Sequence, residues 1–351
     1  MVIVTAKRDI KGLYRDELAK LCEPAYRVDQ ILQWIYAKQA DSFAAMTNLP
    51  APFRDKLAAD FELNAVHSVR TKHASDTTDK FLFQLRDHEL IETVLIPATP
   101  GLTSQSDRHT VCVSTQVGCA YGCKFCASGL EGVKRNLTAA EIVDQVLQVQ
   151  RLTGERVSNL VVMGMGEPLA NYDNVLRALR ILNAPWSLGL GARKMTISTV
   201  GLVPRIKQLA EEPMQIGLAI SLHGVTDAVR SQIMPVSKKH PLSELLEACD
   251  YYVNTKKRML TFEYILIENV NDMLDQAYKL ASIARRLHAK VNLIPYNPVE
   301  GLDWKRPDRE RCKMFQHTLK TAGITATLRA EKGTDIAAAC GQLRLQSKKT
   351  L

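Results

Sequence analysis

The apolar positions along this chain change their period twice. From Tyr14 the spacing is helical: YRDELAKLC is followed by YRVDQILQWIYAKQ, in which Val28, Ile31, Leu32, Ile35 and Tyr36 fall on one face. Between 63 and 97 the period moves towards two, and KFLFQL and ELIETVLIP read as short strands. A polar stretch, ATPGLTSQSDRH, then predicts a loop. From Val111 onward, apolar strand-like runs alternate with helical periods: VCVST with TAAEIVDQVLQVQRL, NLVVMG with NVLRALRIL, MTIST with VPRIKQLA, IGLAISL with SELLEACDYYV, LTFEYILI with LDQAYKLASIARRL, and VNLIPYN with CKMFQHTLKTAG. Thr138, followed three residues later by Glu141, is a capping box that opens the first of these helices. Six strand-helix units in succession predict an α/β fold, a parallel sheet curved into a partial (βα)6 TIM-like barrel behind a small N-terminal helical domain. The expected division is a helical accessory domain at 1–62 and linking strands and loop at 63–108. A barrel with a C-terminal cysteine segment follows at 109–346, then a basic tail at 347–351. Catalytic groups of such a barrel are expected just after its strands.

Composition narrows the class. With 46% hydrophobic and 24% charged residues over 351 positions, the chain is globular and long enough for a full core. No window approaches eighteen consecutive apolar residues, and MVIVTAKRDIKG does not read as a secretory signal, so a cytoplasmic protein without a membrane partner is expected. The formal charge is +9. Residues 1 to 90 carry equal numbers of acidic and basic side chains, so the whole excess lies in the larger part. Such an excess favours approach to a polyanion through counterion release, and nucleic acid is a natural partner.

Three of the eight cysteines crowd together in GCAYGCKFC, placing Cys119, Cys123 and Cys126 at a Cys-x3-Cys-x2-Cys spacing. A tetrahedral zinc site and a ferredoxin cluster each want four ligands. Three leave two completions: a distant fourth protein ligand, or a cluster with one iron left for a small molecule. The zinc completion would suit a non-catalytic RNA-binding protein. The triplet follows the first barrel strand, and the second strand ends in GMGEP at 164–168. Leu169 occupies the place of the last glycine of a dinucleotide-binding turn, which excludes that motif. GMGEP instead offers close backbone approach at Gly164 and Gly166 and a carboxylate at Glu167, groups suited to an ammonium.

The cysteine triplet after the first strand, the GxGEP turn after the second and the six repeated units resemble the radical S-adenosylmethionine (SAM) superfamily. That resemblance implies a 4Fe-4S cluster on Cys119, Cys123 and Cys126 whose fourth iron binds SAM. Further stretches, namely VKRNLT at 133–138, MGMGEPLAN at 163–171, ISTVGLVP at 197–204, AISLHG at 219–224 and LIPYNP at 293–298, together with Cys112 and Cys340, resemble the RlmN/Cfr family of adenosine methyltransferases over nearly the whole chain. Cys22, Cys249 and Cys312 read as small buried hydrophobes.

The family's chemistry, carried onto matching positions, implies that Cys340 accepts a methyl group from one SAM. A radical generated from a second SAM activates that group towards the adenine ring. Cys112 then resolves the protein-RNA adduct through a Cys112-Cys340 disulfide, and Glu92 is the expected proton acceptor. The implied SAM contacts are Gly166 and Glu167 at the amino group, Ser198 near the carboxylate, Ser221, Leu222 and His223 at the ribose, and Asn297 at the adenine. The implied substrates are adenosine carbon 2 in 23S ribosomal RNA, at the peptidyl-transferase centre, and in tRNA beside the anticodon, with a flavodoxin-type electron donor and a monomeric enzyme. The Cfr members, which methylate carbon 8, are the nearest rival; GEP at 166–168 and IPYNP at 294–298 lie closer to the carbon-2 pattern.

Overall fold

The structure is a computed structural model that describes residues 7–98, 108–329 and 332–343. Ten strands form one sheet in sequential order: β1 (Val66–His73), β2 (Asp79–Leu85), β3 (Leu90–Pro97), β4 (His109–Cys112), β5 (Asn159–Val162), β6 (Met195–Thr199), β7 (Gly217–Ser221), β8 (Thr261–Leu266), β9 (Lys290–Pro295) and β10 (Ala326–Leu328). From β4 to β10 every pairing is parallel, whereas β1 to β4 pair antiparallel. The six expected units are present, with helices α1 (Ala139–Thr153), α2 (Tyr172–Asn183), α3 (Val203–Glu211), α4 (Leu242–Lys256), α5 (Leu274–Arg286) and α6 (Arg309–Thr321). The sheet is wider than those six units because β1–β3 continue it on one edge and β10 adds a seventh parallel strand on the other.

The strands read as near-continuous apolar runs because helices cover one face of a parallel sheet while its curvature closes around the other. The capping box forms as its spacing predicts: the Glu141 N–H donates to Thr138 Oγ1 at 3.2 Å, and Glu141 Oε2 accepts from the Thr138 N–H at 2.8 Å. The link strands depart from simple alternation. β3 buries its first six residues on both faces: Thr93 Oγ1 donates to Gln145 of α1 at 2.8 Å on one side, and Val94 borders the barrel mouth on the other.

Ahead of the sheet, helices run over Arg15–Ala19 and Tyr26–Leu32, the second continuing as a wider π turn through Gln33–Ala37. Val28, Ile31, Leu32, Ile35 and Tyr36 are all buried, as their spacing requires, in the same hydrophobic cluster as the sheet residues. A buried ion pair ties this segment to the barrel: Lys11 Nζ meets Asp144 Oδ1 of α1 at 2.5 Å, while Asp144 Oδ2 accepts the Ala65 and Val66 N–H groups. A buried carboxylate is tolerated there because cation and amides both compensate its desolvation. Most of the loop at 98–109 and the basic tail at 347–351 lie outside the described residues.

Candidate active site

The carboxyl ends of the parallel strands open into two adjoining pockets, of about 900 Å³ and about 750 Å³ including their mouths. Cys119, Cys123 and Cys126 line the larger one together with Gly166, Glu167, Ser198, Ser221 and His223. The smaller holds Cys112 and Asn297. Cys126 and Cys340 belong to the wall that both share.

The cysteine loop is pinned at its base by a short antiparallel pair, Gln116–Gly118 with Val133–Asn136. Gly118 has φ +78, and a Cβ there would stand 2.0 Å from the Gly132 carbonyl oxygen, so the loop closes only on glycine. Burial pushes the Cys119 thiol up to about 12 and raises Cys123 and Cys126 as well, with neighbouring thiols adding to the effect at Cys119 and Cys123. Such thiols stay protonated until a metal displaces the proton. Among the described residues no group of three or more Cys, His, Asp or Glu is gathered as a single metal ion needs. The three thiols around one pocket are one ligand short of a tetrahedral zinc site, whereas a cubane can be held at three corners with its fourth iron open to a ligand in the same pocket.

The GMGEP turn is built for close approach. A Cβ on Gly164 would lie 2.7 Å from the Val113 carbonyl oxygen, and Gly166, at φ +99, would press 2.6 Å against the Gln116 side chain. Glu167 is 2% exposed. Its carboxylate accepts from the Leu169 and Val200 N–H groups, each at 2.9 Å, yet burial still pushes it up to about 7 because no cation among the described residues stands against it. A buried carboxylate facing a pocket in this state suits a ligand ammonium.

His223, at φ +53, accepts the Ile265 N–H on Nδ1 at 3.0 Å, which leaves the ring proton on Nε2. Burial, aided by the Arg230 charge, lowers it to about 3, so the imidazole is neutral. The edge of its ring contact with Phe125 joins it to the cysteine loop. Leu222 is fully buried and does not line the pocket; what it contributes lies in its backbone, whose N–H bonds the Glu263 carbonyl. Asn297 Nδ2 donates to the Cys340 carbonyl oxygen at 3.1 Å, and its Oδ1 accepts from Arg306.

Cys340 reaches this place because its segment is strapped across the mouth. Asp76 and Asp335 tie it to the turn between β1 and β2, through the Gly333 and Ser75 amides. Lys80 donates to the Ala337 carbonyl oxygen at 2.9 Å, and the Ala127 N–H holds Gly341 at 2.7 Å from the cysteine loop. Arg329 Nη1 donates to Cys340 Sγ at 3.1 Å. Cys112 is pushed up to about 12, chiefly by burial and further by Cys340. None of the eight cysteines is joined in a disulfide, and Cys22, Cys249 and Cys312 are buried as expected of apolar packing groups. Glu92 lines neither pocket: it forms a buried ion pair with Lys80 at 2.9 Å beside Arg70 and Lys72, two residues along the same strand face from Val94 of the smaller pocket.

Sequence reasoning passed over Arg329, Glu263 and Lys80. A carboxylate inside the apolar run LTFEYILI, and an arginine directly after a strand, were the available signals.

The model of the Radical SAM superfamily matches residues 113–281, and that of the ribosomal RNA large subunit methyltransferase N-terminal domain matches residues 10–63. The chain is 56% identical over 338 residues to the probable dual-specificity RNA methyltransferase RlmN 3 of Opitutus terrae, covering 93% of this chain and 90% of that one. The chain belongs to the RlmN family. A second RlmN, from Akkermansia muciniphila, is 52% identical over 324 residues, with 92% and 90% covered. The crystal structure of a radical SAM methyltransferase from Sphaerobacter thermophilus superposes with a TM-score of 0.91 at 44% identity, over 96% of this chain and 99% of that one. The partial barrel, with its antiparallel extension, is therefore the fold of this RlmN family member.

Proposed function

We propose that this RlmN-family chain is a radical SAM methyltransferase that methylates carbon 2 of adenosine in large-subunit ribosomal RNA and in tRNA beside the anticodon, through a methyl-cysteine. The observation that carries the reading is Cys340 on the wall between two pockets. One side holds the cysteine triplet and Glu167, and the other holds Cys112. A sulfur so placed can take a methyl group on one side and present it to a base on the other.

In this reading Cys119, Cys123 and Cys126 hold a 4Fe-4S cluster, which when bound supplies the electron that splits SAM to a 5′-deoxyadenosyl radical. Glu167 and the Gly166 backbone orient the SAM amino group, Ser198 the carboxylate, and Ser221 to His223 the ribose. Asn297, bonded to the Cys340 backbone, keeps the cysteine segment aligned at the adenine end. Carbon 2 of adenine is electron-poor and carries no acidic proton at neutral pH, so simple displacement of a SAM methyl cannot reach it. Cys340 therefore carries the methyl group as a thioether, and its activated carbon adds to the ring. One electron must leave the adduct, for which the cluster would be the acceptor, and the ring proton passes to Glu92. The Cys112 thiolate then attacks the Cys340 sulfur, and the sulfur-carbon bond breaks with its electron pair on the methylene carbon, which takes a proton to become the methyl group of the released base. The target base must leave its stack to reach the pocket. The basic excess of the barrel part suits phosphate contacts around the mouth, and the segment through residue 62 suits recognition of RNA shape. A flavodoxin-type donor, a cytoplasmic location and a monomer complete the proposal.

Digestion of treated rRNA and tRNA, with mass spectrometry against 2-methyl and 8-methyl adenosine standards, tests the position. The 8-methyl product would assign the chain to Cfr-type chemistry, and a colourless zinc protein making no 5′-deoxyadenosine would remove the radical reading altogether. Cys112→Ala is expected to accumulate covalent RNA adduct and Cys340→Ala none.

A further inference from the structure

Besides Cys126 of the triplet, two thiols border the smaller pocket, Cys112 and Cys340, and the reaction needs them in a fixed order. A methyl group on Cys112 as well as on Cys340 would leave no thiol to resolve the adduct. Arg329 distinguishes them. It follows β10 directly, lines both pockets, and aims Nη1 at Cys340 Sγ at 3.1 Å. Its backbone N–H is anchored to the Leu293 carbonyl oxygen at 2.9 Å, so the guanidinium projects from a fixed point at the end of the sheet. The Cys340 charge pushes Arg329 above its ordinary value; burial opposes this, and Glu263 and Cys112 add to it. Cys112 feels the same cation only as a more distant charge that leaves its thiol high.

We propose that Arg329 is the activating cation of Cys340, the group that makes this thiol rather than Cys112 the methyl acceptor. The inference rests on the methyl-cysteine reading above. The Cys340 proton goes to solvent, and the thiolate, held by the guanidinium, attacks the sulfonium methyl carbon. A sulfur-carbon bond forms at Cys340 while the methyl-sulfonium bond breaks, its electron pair leaving with neutral S-adenosylhomocysteine. The product thioether is a poor acceptor, and the guanidinium turns to Glu263, whose carboxylate lines the larger pocket and accepts from Asn292 at 2.8 Å. Nothing then pins the methylated sulfur, which is free to face the base.

The test is alkylation of the full chain by iodoacetamide, without cluster or SAM, with the Cys340 and Cys112 peptides quantified by mass spectrometry across pH. A charge-assisted hydrogen bond to a thiolate is worth about one logarithmic unit of thiolate population or more. Cys340 of the wild type should react at least about tenfold faster than Cys112 at neutral pH. Arg329→Gln should lose about tenfold of the Cys340 rate at neutral pH and regain it in alkali, while Arg329→Lys keeps most of it. Superimposable wild-type and Arg329→Gln profiles would overturn the proposal. So would a loss that persists in alkali and appears equally in Arg329→Lys, since that marks a displaced segment. Mass analysis of Cys340 after incubation of the reconstituted wild type with SAM separates the two layers. A methyl thioether with an Arg329-independent profile removes only the role of Arg329, whereas an Arg329-dependent profile without a thioether removes only the methyl-cysteine reading.

Discussion

Replacing Glu167 by Gln separates what this side chain costs the fold from what it does for the ligand. The carboxyl is raised from 4.5 to about 7 by burial. An acid raised in the fold ionises first in the unfolded chain, so its contribution favours the native state below about 4.5. That advantage is lost as pH rises through about 7. The interval is worth about 3 kcal/mol at pH 8. Gln cannot ionise and keeps one oxygen for the Leu169 and Val200 amides, giving back about 1 kcal/mol for the bond it loses. Glu167→Gln should therefore be about 2 kcal/mol more stable than the parent at pH 8, and no more stable at pH 5. SAM binding should weaken at the same time, because the ammonium loses a charged partner worth about 1.5–3 kcal/mol, roughly ten- to a hundredfold in Kd. Urea unfolding at both pH values and calorimetric titration with SAM read the two effects. A variant destabilised equally at pH 5 and pH 8 would refute the desolvation argument, and unchanged SAM affinity would refute the assignment of the carboxylate to the ammonium.

Gly166→Ala should cost about 1–3 kcal/mol of backbone strain and abolish SAM binding. Gly189→Ala, at φ +61 with open space around it, should cost less and leave binding intact; equal losses in unfolding and titration would contradict the close-approach account. Lys80→Met removes the ion-pair partner of Glu92 and the donor to Ala337, and should destabilise by about 3–5 kcal/mol. It should also speed hydrogen exchange across 332–343, while Lys80→Met with Glu92→Leu recovers much of the stability; no recovery in the double variant would mean the pair is not the cause. Thr138→Ala should lose about 1 kcal/mol through the N-cap, measured by urea unfolding with activity retained.

Local periods carried the greater part of the fold. The 3.6 and 2.0 spacings, the capping box and the glycine turns record interactions between residues a few positions apart, and they gave the six strand-helix units in their correct places. The same locality made the cysteine triplet and GMGEP legible as chemistry, since a loop of eight residues must present its thiols together. It did not show that β1–β3 and β10 extend the sheet to ten strands, because strand pairing is a contact between distant segments that leaves little mark on either one alone. Nor could spacing place Cys340 against Arg329 or show that Cys112 borders the same pocket. Spacing alone also left Glu92 without its Lys80 partner and Asn297 without its bond to the Cys340 backbone. By itself the sequence determined which residues can ionise, coordinate or turn. Only the curvature of the sheet, and the strap it holds across its mouth, decided which of them meet.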